Sequence, residues 1–262
     1  MGQFDSPTEA ALAQLKIEHA AISPVGVVAE RIVGIASKLL ELAGFQGASV
    51  TSDLVFSLKR VAATKDEGNL IYFAEALVDD IRRLYRLNDE MQRQVENILQ
   101  SKQFYEAVAN ATLYVVRTNV QARLKRLARV LANGVKEGDL EPESLDDAMR
   151  AAVFLTEKDI EVLRIVYELQ SDMLLPENLN KQPGQRTNEL QRKWQVWWGE
   201  HIEEYRGLKG LEFRDSCARL QSEGLVGTVP KSFAASPTRD DLELLLTGLR
   251  FYQRLEAIAE QT

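Results

Sequence analysis

Residues Leu211 to Val229 read LEFRDSCARLQSEGLVGTV, and this run decides the architecture of the C-terminal part. Phe213, Cys217 and Leu220 recur at spacings of four and three, which places them on one helical face. Gly224 stands where such a helix ends, because glycine adopts the left-handed backbone without steric penalty. Leu225 to Val229 is then strand-like, Pro230 to Asp241 a polar loop, and Leu242 to Leu246 a second strand-like run. Thr247 opens a last helix carrying Leu249, Tyr252, Leu255 and Ile258. Upstream, Thr156 is a helix N-cap with Asp159 at the capping-box distance, and Ile160, Leu163, Ile165, Val166 and Leu169 follow as its apolar residues. Pro176 to Gln185 reads as a polar loop. A helix from Thr187 to Tyr205 puts Trp194, Trp197 and His201 on a shared face, where the tryptophans serve as core. Gly207 to Gly210 is a short turn before the helix of Leu211 to Glu223.

This order of elements, with Leu220, Gly224, Leu225 and Val226 before the hairpin and Leu246-Thr247 after it, resembles the winged-helix family over residues 155–262. The resemblance implies three helices, a two-stranded wing and a closing helix. The glycine that the family carries a few residues after Leu-Thr is displaced here to Gly248, and Arg250 lies nearer its usual place. It also implies that the third helix is the recognition helix, with Arg214, Arg219 and Ser222 as candidate contacts and Lys231 and Arg239 as candidate wing contacts. The chemistry of that helix points elsewhere. Its outward face also carries Glu212, Asp215 and Glu223, and Asp240 and Asp241 offset the wing cations. Carboxylates facing phosphates are repelled, and each missing cation weakens counterion release. The expectation is a surface that contacts protein rather than reads DNA.

The N-terminal part matches no family by its motifs. Residues 1–24 are a mixed segment containing a short helix, Thr8 to Ala20, and residues 25–150 read as a helical bundle. Within the bundle, Val25 to Leu42 is an apolar-rich helix, and Leu54 to Ala63 a further one. A single long helix is predicted from Asn69 to Ser101, because Leu70, Leu77, Leu84, Met91 and Ile98 recur every seven residues. Ala74, Ile81, Asn88 and Val95 fill the alternate seam. Such a pattern suits a parallel coiled coil whose Asn sets the register, which leaves a homodimer open. Phe73, Val78, Tyr85 and Leu87 widen the stripe and favour packing inside a bundle. Another helix is expected from Phe104 to Val135, ending at Asn133-Gly134 or at Gly138. It sets Arg123, Lys125, Arg126, Arg129 and Lys136 opposite Val120, Leu124, Leu127 and Leu131. That basic face is either solvated and paired with acidic neighbours, or a patch for phosphate, nucleic acid or an acidic protein. An acidic turn, Gly138 to Ser144, and a helix, Leu145 to Phe154, precede the domain boundary.

The bulk numbers narrow the classes. The 262 residues are 45% hydrophobic and 27% charged, ordinary globular usage, so the chain can build a core. The formal charge of −7 disfavours a dedicated nucleic-acid binder and adhesion to anionic lipid. The single cysteine excludes an internal disulfide, no signal pattern opens the chain, and the most apolar early run carries Glu30, Arg31, Lys38 and Glu41. These features give a cytoplasmic expectation with no integral membrane span. Neither His19 nor His201 has Glu three residues earlier; Lys16 and Trp198 stand there, so the di-iron ligand pair is missing. No zinc spacing, phosphate-binding glycine loop, dinucleotide fingerprint or nucleophile elbow appears in the sequence. No catalytic residue, metal or cofactor is expected. The sequence thus reads as a mainly α protein, a helical bundle followed by a winged-helix-like domain with a small β wing. Its expected role is non-enzymatic interaction or regulation, with a protein partner or self-association. The alternatives are a dimeric DNA-binding regulator and peripheral membrane association through Val25 to Leu42.

Overall fold

The structure, a computed structural model, describes residues 67–99, 101–174, 183–205, 207–228 and 242–256. The expected helices at Thr8 to Ala20, Val25 to Leu42 and Leu54 to Ala63, and the loop with Lys231 and Arg239, lie outside the described residues. The described chain is mainly helical, with one small two-stranded antiparallel sheet. By its internal contacts it divides into two compact units, residues 1–154 with 255–262, and residues 155–254.

In the first unit, α1 spans Glu67–Tyr85, α2 Asp89–Leu99, α3 Lys102–Val115, α4 Gln121–Glu137 and α5 Pro142–Phe154. α1 packs on α4, and α4 and α3 pack on α5. Leu70, Phe73, Leu77, Ile81 and Leu84 of α1 are fully or almost fully buried, following the three-four spacing of a helix stripe. Leu124, Leu127 and Leu131 of α4 are buried too, with Ala128 and Ala132 between them.

Two expected long helices are each broken. The run from Asn69 to Ser101 is interrupted at Arg86–Asn88, where Asn88 turns from a seam position into a cap. Its Oδ1 accepts from the Met91 N–H at 2.8 Å, and its side chain is exposed. An Asn side chain satisfies a first-turn amide only from outside the helix, so it starts α2 instead of continuing α1. The seven-residue repeat is therefore shared by two helices and forms no continuous seam. The run from Phe104 to Val135 breaks at Val116–Val120. There the Thr118 hydroxyl accepts from the Val120 N–H at 3.2 Å, and the Thr118 carbonyl accepts from the Asn69 amide at 3.1 Å. A stretch of Val, Thr and Asn has low helix propensity, and these side chains offer the backbone an alternative partner. At the next helix, Ser101 caps α3 by accepting from the Phe104 N–H at 3.2 Å.

In the second unit, α6 spans Glu157–Gln170 and is followed by a 3-10 turn, Ser171–Leu174. α7 spans Pro183–His201, α8 Leu208–Ser222, β1 Val226–Thr228, β2 Leu242–Leu244 and α9 Leu246–Leu255. The capping box forms: the Thr156 hydroxyl accepts from the Asp159 N–H at 3.2 Å, and Asp159 accepts from the Thr156 N–H at 2.7 Å. α6 packs against α8 and β2. Between them are buried Val162, Leu163, Val166, Trp194, Phe213, Cys217 and Leu220.

The hairpin pairs Val226 with Leu244, Gly227 with Glu243 and Thr228 with Leu242. A strand of three residues has too few ladder bonds to hold itself, and side chains from two helices anchor it. The Leu242 carbonyl accepts from Gln170 Nε2 and from Trp194 Nε1, each at 2.7 Å, and Gln170 Oε1 accepts from the Leu244 N–H at 2.9 Å. Gly224 takes φ 67°, the left-handed turn that ends α8. Gly248 lies against the Leu225 backbone so closely that a Cβ there would collide with its carbonyl. That approach seats the first turn of α9 on the residue that leads into β1, and only glycine permits it.

Candidate protein-contact face on the third helix of the second unit

α8 begins at Leu208, earlier than the expected Leu211, and its buried face is Phe213, Ser216, Cys217 and Leu220. Three of these were legible as the apolar stripe. Cys217 is buried among them as a packed thiol.

Arg219 points back into the unit. Its Nε lies 3.0 Å from both Asp159 carboxylate oxygens, and its Nη2 donates to Oδ1 at 2.8 Å. Asp159 is 0% exposed, so the guanidinium neutralises a buried charge. Burial pushes the Asp159 carboxyl up, but hydrogen bonds from Arg219, the Thr156 backbone and Ser216 outweigh it and hold the group below its ordinary 3.8. One of the two candidate recognition cations is thus the counter-ion of the capping box. Sequence spacing could not show this, because the two residues are sixty positions apart.

Ser222 is exposed, and its hydroxyl donates to the Arg219 carbonyl at 2.7 Å. Arg214 and Asp215 are both exposed. Glu212 forms an ion pair with Lys158 of α6, and Lys209 one with Glu204 at 3.4 Å. The outward surface also holds Leu208, 79% exposed, and Leu211, 56% exposed. Sequence reading missed these two. The signal was there: they stand three apart and off the Phe213–Cys217–Leu220 stripe.

A cavity of about 150 Å³ opens beside them. α6 contributes Lys158, Glu161 and Val162; α8 contributes Lys209, Glu212, Phe213 and Ser216; Glu204 and Tyr205 close it from the connecting turn. Tyr205 sits in an aromatic cluster, its ring centroid 5.1 Å from Phe213 and 5.3 Å from Trp197. Burial pushes the Tyr205 phenol up, and the nearby Glu204 and Glu161 carboxylates push it further, with Arg164 opposing. His201 stacks on Trp197 at 4.7 Å and its Nδ1 lies 2.9 Å from the Trp197 carbonyl.

The basic residues of the first unit have separate fates. Arg129 lies 3.6 Å from Asp80 of α1, which is 3% exposed, and Arg83 lies 3.5 Å from it on the other side. Lys125 also acts on that carboxylate. Burial pushes Asp80 up more strongly than Arg129, Arg83 and Lys125 pull it down. Lys136 and Lys125 are exposed, while Arg123 and Arg126 are half-buried. At about 100° per residue, Lys125, Arg129 and Lys136 share a side of α4, and Arg123 lies well round from them.

Among the described residues no group of acidic, histidine or cysteine side chains could hold a metal ion. No helix among them is long and apolar enough to cross a membrane. No family model, curated protein or solved structure matches the chain.

Proposed function

We propose that residues 155–262 form a winged-helix-like module that contacts protein, and that the chain acts as a non-enzymatic interaction or regulatory protein. The observation that carries this reading is the outward face of α8. Where a DNA reader presents cations, this helix presents Leu208 and Leu211 to solvent. Two large exposed leucines on one helix supply the apolar centre that a protein interface needs, and the neighbouring charges supply its rim. Duplex reading by the same helix is the weaker alternative. Arg219 is engaged with Asp159, and Lys209 and Lys158 are paired with carboxylates. Arg214 stays exposed on this face next to Asp215, and one such cation is too few to displace the counterions that duplex binding requires.

The test is affinity capture with the full chain against its Leu211→Glu variant, with bound proteins quantified. The reading expects one or more proteins recovered with the wild type and lost with the variant, while both chains melt alike. Equal recovery on the two baits, or salt-dependent binding to random duplex DNA that Leu211→Glu leaves intact, would overturn it.

A further inference from the structure

The cavity beside the exposed leucines has a defined chemistry. Its charged lining is three carboxylates and two ammonium groups. Lys158 is paired with Glu212 and Lys209 with Glu204. The Glu161 carboxylate and the Tyr205 hydroxyl make no ion pair or hydrogen bond with the described residues. Both residues line the same opening, and Val162 and Phe213 supply apolar surface to it. A volume near 150 Å³ accepts a group about the size of benzene. The complement of this site is a flat organic cation on an apolar stem. A guanidinium fits better than an ammonium, because it is weakly hydrated, packs on aromatic rings and binds a carboxylate with two parallel donors.

We propose that this cavity is the socket for an arginine side chain of the protein that docks on α8. The inference rests on the protein-contact reading and names the anchor that the partner brings. Leu208 and Leu211 each precede a lining residue, Lys209 and Glu212, by one position, about 100° round the helix. A partner covering the leucines therefore passes the mouth of the cavity. Burying the anchor removes Glu161 from water, and the leucine contacts shield the pair.

The experiment titrates the full chain with N-acetyl-arginine amide, and in parallel with N-acetyl-citrulline amide, which keeps the shape and lacks the charge. Tryptophan emission reports occupancy, since Trp197 touches Tyr205. The arginine probe is expected to saturate and the citrulline probe to give no response. Glu161→Gln should weaken the arginine probe by about three- to five-fold, the upper end for an exposed ion pair. Lys158→Met, which removes a competing ammonium, should tighten it. Glu161 and Lys158 are exposed, so both variants should melt as the wild type does. Equal response to the two probes, no saturation, or unchanged affinity in both variants overturns the socket. The docking face is tested separately: Leu211→Gln, which adds no charge next to Glu212, should leave probe affinity unchanged while abolishing capture of the protein partner.

Discussion

At the scale of single residues, the Arg219–Asp159 pair is the most consequential contact in the second unit. Asp159 is wholly buried, accepts from the Thr156 N–H as well as from Arg219, and so joins the start of α6 to the end of α8. Truncating Arg219 leaves a buried carboxylate without its counter-ion. The bridge is half open on the arginine side, 44% exposed, which discounts the full cost of a broken buried pair. Arg219→Ala should lower stability by about 1–3 kcal/mol in denaturant unfolding followed by tryptophan fluorescence. Arg214→Ala, on the exposed face, should stay within about 0.5 kcal/mol. Equal effects would mean that the bridge contributes nothing net. The capping box itself was legible from Thr156 and Asp159 three positions apart. Its guanidinium partner was not, because a pair sixty positions apart leaves no local pattern.

At the scale of elements, the breaks in the helices carry the main correction. Heptad spacing from Leu70 to Ile98 is real, yet Asn88 sits at the start of α2 with its side chain on the Met91 amide. The turn is reinforced by Tyr85, whose hydroxyl donates to Glu96 at 2.8 Å and accepts from Gln92 at 2.7 Å. Asn88→Ala should cost about 0.5–2 kcal/mol through loss of the cap, with no change of mass in solution. A fall in mass on that substitution would instead place Asn88 in an interchain seam. The hairpin shows the converse. Its strand-like runs were visible in the sequence, but its anchorage by Gln170 and Trp194 was not. Both lie on helices whose apolar periodicity says nothing about a carbonyl far along the chain.

At the scale of the whole molecule, the two units carry buried carboxylates with opposite shifts. Asp159 is depressed in the fold. Its contribution to stability is present above the unfolded value near 3.8 and is lost as pH falls through the folded value. Asp80 is raised in the fold. Burial costs its ionised form more than Arg129, Arg83 and Lys125 return, so the first unit gains stability as pH falls through the raised value toward 3.8. Acid titration should therefore weaken the second unit relative to the first. All three tryptophans, Trp194, Trp197 and Trp198, belong to the second unit, so their emission isolates it. Hydrogen exchange of α1 and α4 reports the first. Loss of protection in α1 and α4 before the tryptophan signal changes would contradict this order.

Short-range patterns along the chain were enough for the helical class, the small hairpin, the Thr156 capping box and the apolar stripe of α8. These depend on neighbours within a few positions, where periodicity, capping residues and glycine placement act directly. It took the packed helices to show that Arg219 serves Asp159, that Arg129 and Arg83 flank a buried Asp80, and that Leu208 and Leu211 remain in water next to residues lining a charged cavity. Those outcomes depend on which helix faces meet. Whether a charge is spent inside the fold or left at its surface is settled by that packing, since the same spacing along a helix serves a solvated face and a buried one equally well.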